Sequence, residues 1–121
     1  MANTRQRGTY WERVAESFLN GRGLQTLERN FQVRRGEIDL VLRDGNTLVF
    51  TEVRYRGNPS HGSGADSVTQ EKQKRITRAA QLYLLRHPVE RHRACRFDVV
   101  SIGSEQGKIR LEWIRSAFDA A

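Results

Sequence analysis

The sequence predicts an α/β fold, a central mixed β-sheet flanked by helices, with the element order α-β-β-β-α-β-β. Two stretches carry apolar residues at helical spacing, and five others have the alternation or the short apolar runs typical of strands. Residues 44–46 and 104–107 have the glycine-containing pattern of hairpin turns. A sheet covered by helices is the usual way to bury such elements.

Length and composition limit the class of protein. The chain has 121 residues, of which 37% are hydrophobic and 29% charged, and we expect one domain over residues 1–121 with a flexible N-terminus at 1–7. No apolar run approaches the roughly 20 residues of a membrane helix, and no apolar segment of a signal peptide follows the N-terminus. We therefore expect a cytoplasmic protein with no membrane partner.

The net charge of +7 favours a polyanionic partner, above all nucleic acid. The charge alone does not establish this, because many basic proteins bind no nucleic acid specifically.

Two helices are predicted, at about residues 9–21 and 68–87. Thr9 with Glu12, and Ser67 with Gln70, have the spacing of capping boxes. The apolar stripe of the first helix consists of Trp11, Val14, Ala15, Phe18 and Leu19. The core-facing stripe of the second helix consists of Val68, Lys72, Ile76, Ala79 and Tyr83.

Five strands are predicted, at about residues 24–33, 36–43, 47–54, 95–103 and 108–114. Residues 55–65, which include His61, have the glycine-rich composition of a mobile loop. Cys95 is the only cysteine and is expected to be a small core residue. Arg96 and Asp98 alternate with apolar residues, and we expect both to be exposed.

Acidic residues lie on the second and third strands, which a tight turn joins. Glu37 and Asp39 are two residues apart, and so are Glu52 and Arg54, so each pair projects from one face of its strand. A turn at residues 45–46 places Asp39 opposite Glu52, whereas a turn at residues 44–45 places Glu37 there. In both registers the carboxylates share a face, and a one-residue slip would separate them.

Two interpretations of this acidic pair remain open. Like charges opposite each other destabilise a sheet, and a divalent cation bound through two carboxylates would remove the repulsion. Mg²⁺ typically uses one or two carboxylates, waters and substrate phosphates, an arrangement suited to phosphodiester hydrolysis. Alternatively, Glu37 or Glu52 forms an ion pair with a nearby arginine.

The motifs around these residues are specific. Gly36-Glu37-Ile38-Asp39-Leu40-Val41, Val49-Phe50-Thr51-Glu52-Val53-Arg54-Tyr55-Arg56 and Arg96-Phe97-Asp98-Val99-Val100 resemble the YraN family of uncharacterised bacterial proteins. That family belongs to the restriction-endonuclease-like superfamily of PD-(D/E)xK nucleases and is similar to archaeal Holliday-junction resolvases. The resemblance covers about residues 8–103.

The resemblance implies a restriction-endonuclease-like fold and a site. Asp39 and Glu52 correspond to the metal-binding pair for Mg²⁺ or Mn²⁺, and Glu12 is a candidate third carboxylate besides its capping role. Arg54 occupies the position of the motif's lysine, and arginine cannot act as a base. Lys72 could replace that lysine if its helix turn points at the carboxylates; otherwise its ammonium extends to solvent.

The same resemblance places nucleic acid, most simply DNA, across the carboxylate edge of the sheet. The predicted phosphate contacts are Arg34, Arg35, Arg54, Arg56, Lys72 and Lys74. Such contacts position the backbone without reading sequence, so a structure-selective or nonspecific mode is expected. The last hairpin, with Trp113 and Phe118 nearby, could form a two-fold homodimer interface.

Three functions follow from these features. The carboxylate pair favours a Mg²⁺-dependent endonuclease that acts on DNA, for example on branched or repair intermediates. Arg54 favours a nucleic-acid-binding module with weak or absent catalysis. A structural, partner-binding protein is the third alternative.

Overall fold

The computed structural model describes residues 4–56 and 68–120 and confirms the predicted class and element order. The elements are α1 (Thr4–Gly21), β1 (Gln25–Val33), β2 (Gly36–Asp44), β3 (Thr47–Arg56), α2 (Gln70–Arg86), a 3₁₀ turn (Pro88–Glu90), β4 (Cys95–Glu105) and β5 (Lys108–Phe118).

The five strands form one mixed sheet in the order β1-β2-β3-β4-β5. Neighbouring strands are antiparallel except β3 and β4, which are parallel. Parallel neighbours need a crossover connection, and α2 lies in the connection between them. The strands β1 and β5 form the two edges of the sheet.

A hydrophobic core lies on each face of the sheet, because β3 contributes side chains to both. Leu48 and Phe50 face α2, and Val49 faces α1; all three are at most 1% exposed. The α2-side core also contains Val41, Val68, Ile76, Ala79, Ala80, Tyr83 and Phe97. The α1-side core also contains Ala15, Leu19, Leu24, Leu40, Leu42, Val100 and Ile102.

The turn between β2 and β3 selects one of the two predicted registers. Asp44 pairs with Thr47, so the turn residues are Gly45 and Asn46. Gly45 has φ 60, a left-handed conformation that glycine adopts without a Cβ clash. The register continues to Leu40 opposite Thr51, which sets the position of the acidic residues.

Both predicted capping boxes are wrong. The first helix begins at Thr4 rather than near Thr9, so Thr9 and Glu12 lie inside it, where no backbone donor needs a cap. The second helix is capped by Thr69, whose hydroxyl accepts a hydrogen bond of 3.2 Å from the Lys72 amide. Ser67 lies outside the described residues.

The expected exposure of Asp98 and Arg96 is also wrong. Asp98 is 1% exposed and accepts hydrogen bonds from Arg96 Nε at 3.0 Å, Trp113 Nε1 at 2.9 Å and the Ser116 amide at 3.0 Å. The sheet register shifts beside it, between Phe97 and Val99. The carboxylate therefore fixes an irregular segment of the edge strand β5.

Two further expectations concern single segments. Cys95 is exposed rather than in the core, because it begins β4 at the end of the sheet. The first two residues of the predicted mobile loop, 55–56, belong to the end of β3 instead. The remaining residues of that loop, 57–65 with His61, lie outside the described residues. Within residues 4–56 and 68–120, the helices are too short or too polar to cross a bilayer.

Candidate active site

The strands β2 and β3 separate where the two acidic residues meet. Their ladder ends at Leu40 opposite Thr51, so Asp39 and Glu52 are the next opposed pair. At this point the Val53 amide donates a hydrogen bond of 2.8 Å to a side-chain oxygen, Asp39 Oδ2. We call this point, with Asp39 and Glu52, the fork.

The two carboxylates at the fork are buried against each other. Asp39 is 8% exposed and Glu52 7%, and the two carboxylates are close enough to influence each other. Burial, followed by the neighbouring carboxylate of Glu52, raises the pKa of Asp39 well above its usual value. Two carboxylates this close repel each other unless a proton or a cation compensates their charges.

Lys72 reaches the fork from the first turn of α2. Its Nζ lies 3.0 Å from Glu52 Oε2, and its side chain is 39% exposed. The residue lies on the core-facing stripe, and its ammonium contacts the carboxylate instead of extending away from it. The contact is an ion pair without hydrogen-bond geometry, so this buried oxygen of Glu52 has no hydrogen-bond partner.

Gly36 sets how closely α2 approaches the fork. A Cβ at this position would overlap the carbonyl oxygen of Arg75 and lie 3.3 Å from the Cβ of Ala79. Only glycine lets the backbones of β2 and α2 come this close. The glycine at the start of the acidic strand therefore holds Lys72 within reach of Glu52.

Glu12 approaches the fork from α1. The side chain of Asn30, which has φ 52 in β1, lies beside its carboxylate. Burial raises the pKa of Glu12, and the negative charges of Glu37 and Glu52 raise it further. The three acidic residues Glu12, Asp39 and Glu52 thus influence one another electrostatically.

A second contact ties α1 to β1, and the sequence analysis did not identify it. Glu16 is 5% exposed and forms a bidentate ion pair with Arg29 at 2.8 Å. Glu16 lies one helical turn after Glu12, and Arg29 directly precedes Asn30. The four-residue spacing of Glu12 and Glu16 could have indicated that both face β1, since residues i and i+4 share a helix face.

A groove of about 1100 Å³ opens on the α2 side of the fork. Asp39, Glu52 and the exposed Glu37 lie along it. Its cationic lining consists of Arg34, Arg35, Lys72, Lys74, Arg75 and Arg78. Four of the six predicted phosphate contacts therefore converge on it, and Arg75 and Arg78 join them.

Arg54 and Arg56 do not line this groove. Arg54 lies two residues after Glu52 on the same face of β3, by the alternation of the strand, and both arginines are half-buried. Arg54 is therefore near the fork but beyond the groove's boundary.

The fork fits a divalent cation in part. No three Asp, Glu, His or Cys side chains within residues 4–56 and 68–120 are grouped closely enough to hold a metal by themselves. Two buried carboxylates, with a Glu52 oxygen that accepts no hydrogen bond, nevertheless provide the oxygen ligands that Mg²⁺ takes when waters and phosphates complete its shell.

Comparison with known proteins gives consistent matches. A family model described as "Uncharacterised protein family UPF0102" matches residues 11–102. A "UPF0102 protein" of Alcanivorax borkumensis is 50% identical over 108 residues, covering 88% of this chain and 86% of the relative. Another, of Chromohalobacter salexigens, is 48% identical over 118 residues, covering 98% and 94%. A third, of Vibrio cholerae, is 42% identical over 116 residues, covering 95% and 93%.

Proposed function

We infer that this chain, which belongs to the uncharacterised protein family UPF0102, is a metal-dependent endonuclease that cleaves nucleic acid at the fork of Asp39 and Glu52. The observation that carries the proposal is the pair of buried carboxylates at the end of the β2–β3 ladder, beside a cation-lined groove. Burying two like charges in contact is unfavourable unless a proton or a cation compensates them.

Asp39 and Glu52 would hold Mg²⁺ or Mn²⁺, with Glu12 as a further carboxylate from α1. Such a cation supplies a nucleophilic water of lowered pKa and stabilises charge on the scissile phosphate. A metal ligand must be deprotonated, so Asp39 would carry its negative charge in the metal-loaded site. The Val53 amide would keep the Asp39 carboxylate oriented, since it donates a hydrogen bond of 2.8 Å to Oδ2.

Lys72 supplies an ammonium group beside the two carboxylates. Its ammonium, 3.0 Å from Glu52 Oε2, can donate to a phosphate oxygen once the substrate lies in the groove. Arg54 remains charged and can stabilise the phosphate but cannot accept a proton. A fixed positive charge beside the developing negative charge lowers the barrier without acting as a base.

The groove binds the nucleic-acid backbone in this proposal. Arg34, Arg35 and Lys74 are exposed on it, and their charges would neutralise phosphates and release counterions. These contacts carry no base information, so cleavage depends on the shape of the substrate. Arg56, which lies outside the groove, would contact phosphate beyond the fork.

A metal titration with a panel of branched and linear DNA and RNA substrates tests the proposal. We expect nicking that requires Mg²⁺ or Mn²⁺ and that Asp39→Ala or Glu52→Ala abolishes. Glu112→Ala, an exposed acid on β5, is the matched control and should retain activity. No cleavage with either metal, or equal cleavage by the Asp39→Ala protein, would refute the proposal.

A binding module with weak or absent catalysis is the second candidate. It is favoured by arginine at position 54 and by Lys72, whose ammonium already neutralises the Glu52 oxygen that a metal would use. This candidate predicts salt-dependent binding without turnover, and binding that Asp39→Ala leaves intact. The same titration therefore separates the two candidates.

A further inference from the structure

We propose that Tyr10, Trp11 and Tyr55 form an aromatic platform that stacks an unpaired base, so that the preferred substrate carries unpaired nucleotides beside the cleavage point. This inference rests on the proposed function, because it assumes that nucleic acid reaches the fork. It adds the class of substrate, which neither the basic groove nor the carboxylates determine.

The three rings are arranged as one unit. Trp11 and Tyr55 are stacked, with ring centroids 4.3 Å apart and an interplanar angle of 10°. Tyr10 meets Trp11 edge-on, at 4.8 Å and 76°. Trp11 packs against the α1-side core, so a half-buried tryptophan anchors two rings that are more exposed.

The two tyrosines remain open to solvent. Tyr10 is 55% exposed and Tyr55 44% exposed. Large exposed apolar groups that are clustered usually mark a binding surface, whereas scattered ones need no explanation. The other large hydrophobic residues exposed in residues 4–56 and 68–120 are Leu85, Val89 and Ile109, none of which is aromatic.

The platform lies on the α1 side of the fork. Trp11 directly precedes Glu12, and Tyr55 lies three residues after Glu52, roughly 10 Å along the strand. Val53 packs on the α1-side core, and by alternation Tyr55 shares its face while Glu52 belongs to the α2 face. The groove lies on the α2 side, so a nucleic-acid strand that leaves it must cross the fork to the α1 side for its next bases to reach these rings.

The surrounding charge identifies the occupant as a nucleotide. The chain carries a net charge of +7, and six arginine and lysine side chains line the groove at the fork. Aromatic rings near a cationic groove suit a base whose backbone phosphates lie in that groove. A duplex hides its base faces, so only unpaired bases can stack on the rings.

Binding without cleavage tests the platform, with EDTA present and fluorescently labelled oligonucleotides as probes. The probes are a single strand, a blunt duplex and a duplex with a single-stranded flap. We expect Tyr10→Ala/Tyr55→Ala to weaken flap and single-strand binding by on the order of tenfold or more. Duplex binding should be unchanged. Tyr10→Phe/Tyr55→Phe keeps the rings and should stay within about twofold of the wild type.

The outcomes separate this inference from the proposed function. If the alanine variant, folded by circular dichroism, binds flap and duplex as the wild type does, or loses both equally, the platform is refuted while metal-dependent nicking can still hold. If flap binding depends on the rings but no metal supports cleavage, the platform stands and the nuclease fails. A smaller oligomer in the alanine variant by light scattering would show a protein interface instead and refute the platform.

Discussion

Replacing Gly36 with alanine tests the packing that brings Lys72 to the acidic pair. The new methyl group would overlap the Arg75 carbonyl oxygen and crowd Ala79, so α2 must retreat by roughly 1 Å to restore ordinary contact. Overpacking of this kind typically costs about 1–3 kcal/mol of unfolding free energy. Arg75 and Lys72 are less than one helical turn apart, so the ammonium moves away from Glu52 as well.

Thermal and urea unfolding would measure the effect. The melting temperature should fall by about 4 °C for each kcal/mol in a chain of this size. Gly8→Ala is the matched control because a Cβ there meets nothing within 4 Å and lies on the exposed surface of α1. Alanine at position 8 should stabilise α1 by about 0.5–1 kcal/mol, whereas the same substitution at position 36 should destabilise the protein.

Two results would refute the reasoning. A Gly36→Ala protein as stable as the wild type would show that α2 is not held against β2 at this glycine. A destabilised variant that retains full nicking activity would show that the position of Lys72 does not matter to the reaction. We expect Gly36→Ala to lose both stability and nicking activity, and Gly8→Ala to remain fully active.

Two further predictions concern buried acids. In metal-free buffer, the free energy of unfolding of the wild type should fall relative to Asp39→Asn as pH rises above the usual aspartate pKa of 3.8. The reason is that a raised folded-state pKa favours the protonated native form; parallel pH profiles would contradict this. Asp98→Ala should cost about 3–5 kcal/mol in urea unfolding, because it leaves Arg96 without its buried partner. Asp98→Asn, which keeps an acceptor, should cost less, and equal losses would contradict the charge argument.

Periodicity and turn chemistry were sufficient to predict the elements of the fold. Their order is as expected, and most of their bounds agree within two or three residues. The start of α1 was missed because the motif of Thr9 and Glu12 is a local signal, and a continuing helix overrides it. The register was predicted only as one of two alternatives, since the residues at 44–46 allow both turns and packing selects between them.

The site was predictable where it depends on strand and helix geometry. Alternation and the hairpin brought Asp39 towards Glu52, and helical phase placed Lys72 on the face that meets them. The contacts of Glu12 with Asn30 and of Asp98 with Trp113 were not predictable, because each joins elements whose relative positions only tertiary packing determines. The stacking of Tyr55 was not predictable for the same reason, since its partner Trp11 lies in α1.

The parallel pairing of β3 with β4 has a consequence for the order of folding. The acids at the fork come from neighbouring strands joined by a two-residue turn, so a hairpin can bring them together early. Lys72 arrives only when the crossover through α2 closes, and such non-local closure is slow. We therefore expect the acidic pair to form before Lys72 joins it, so that the ammonium completes the site late in folding.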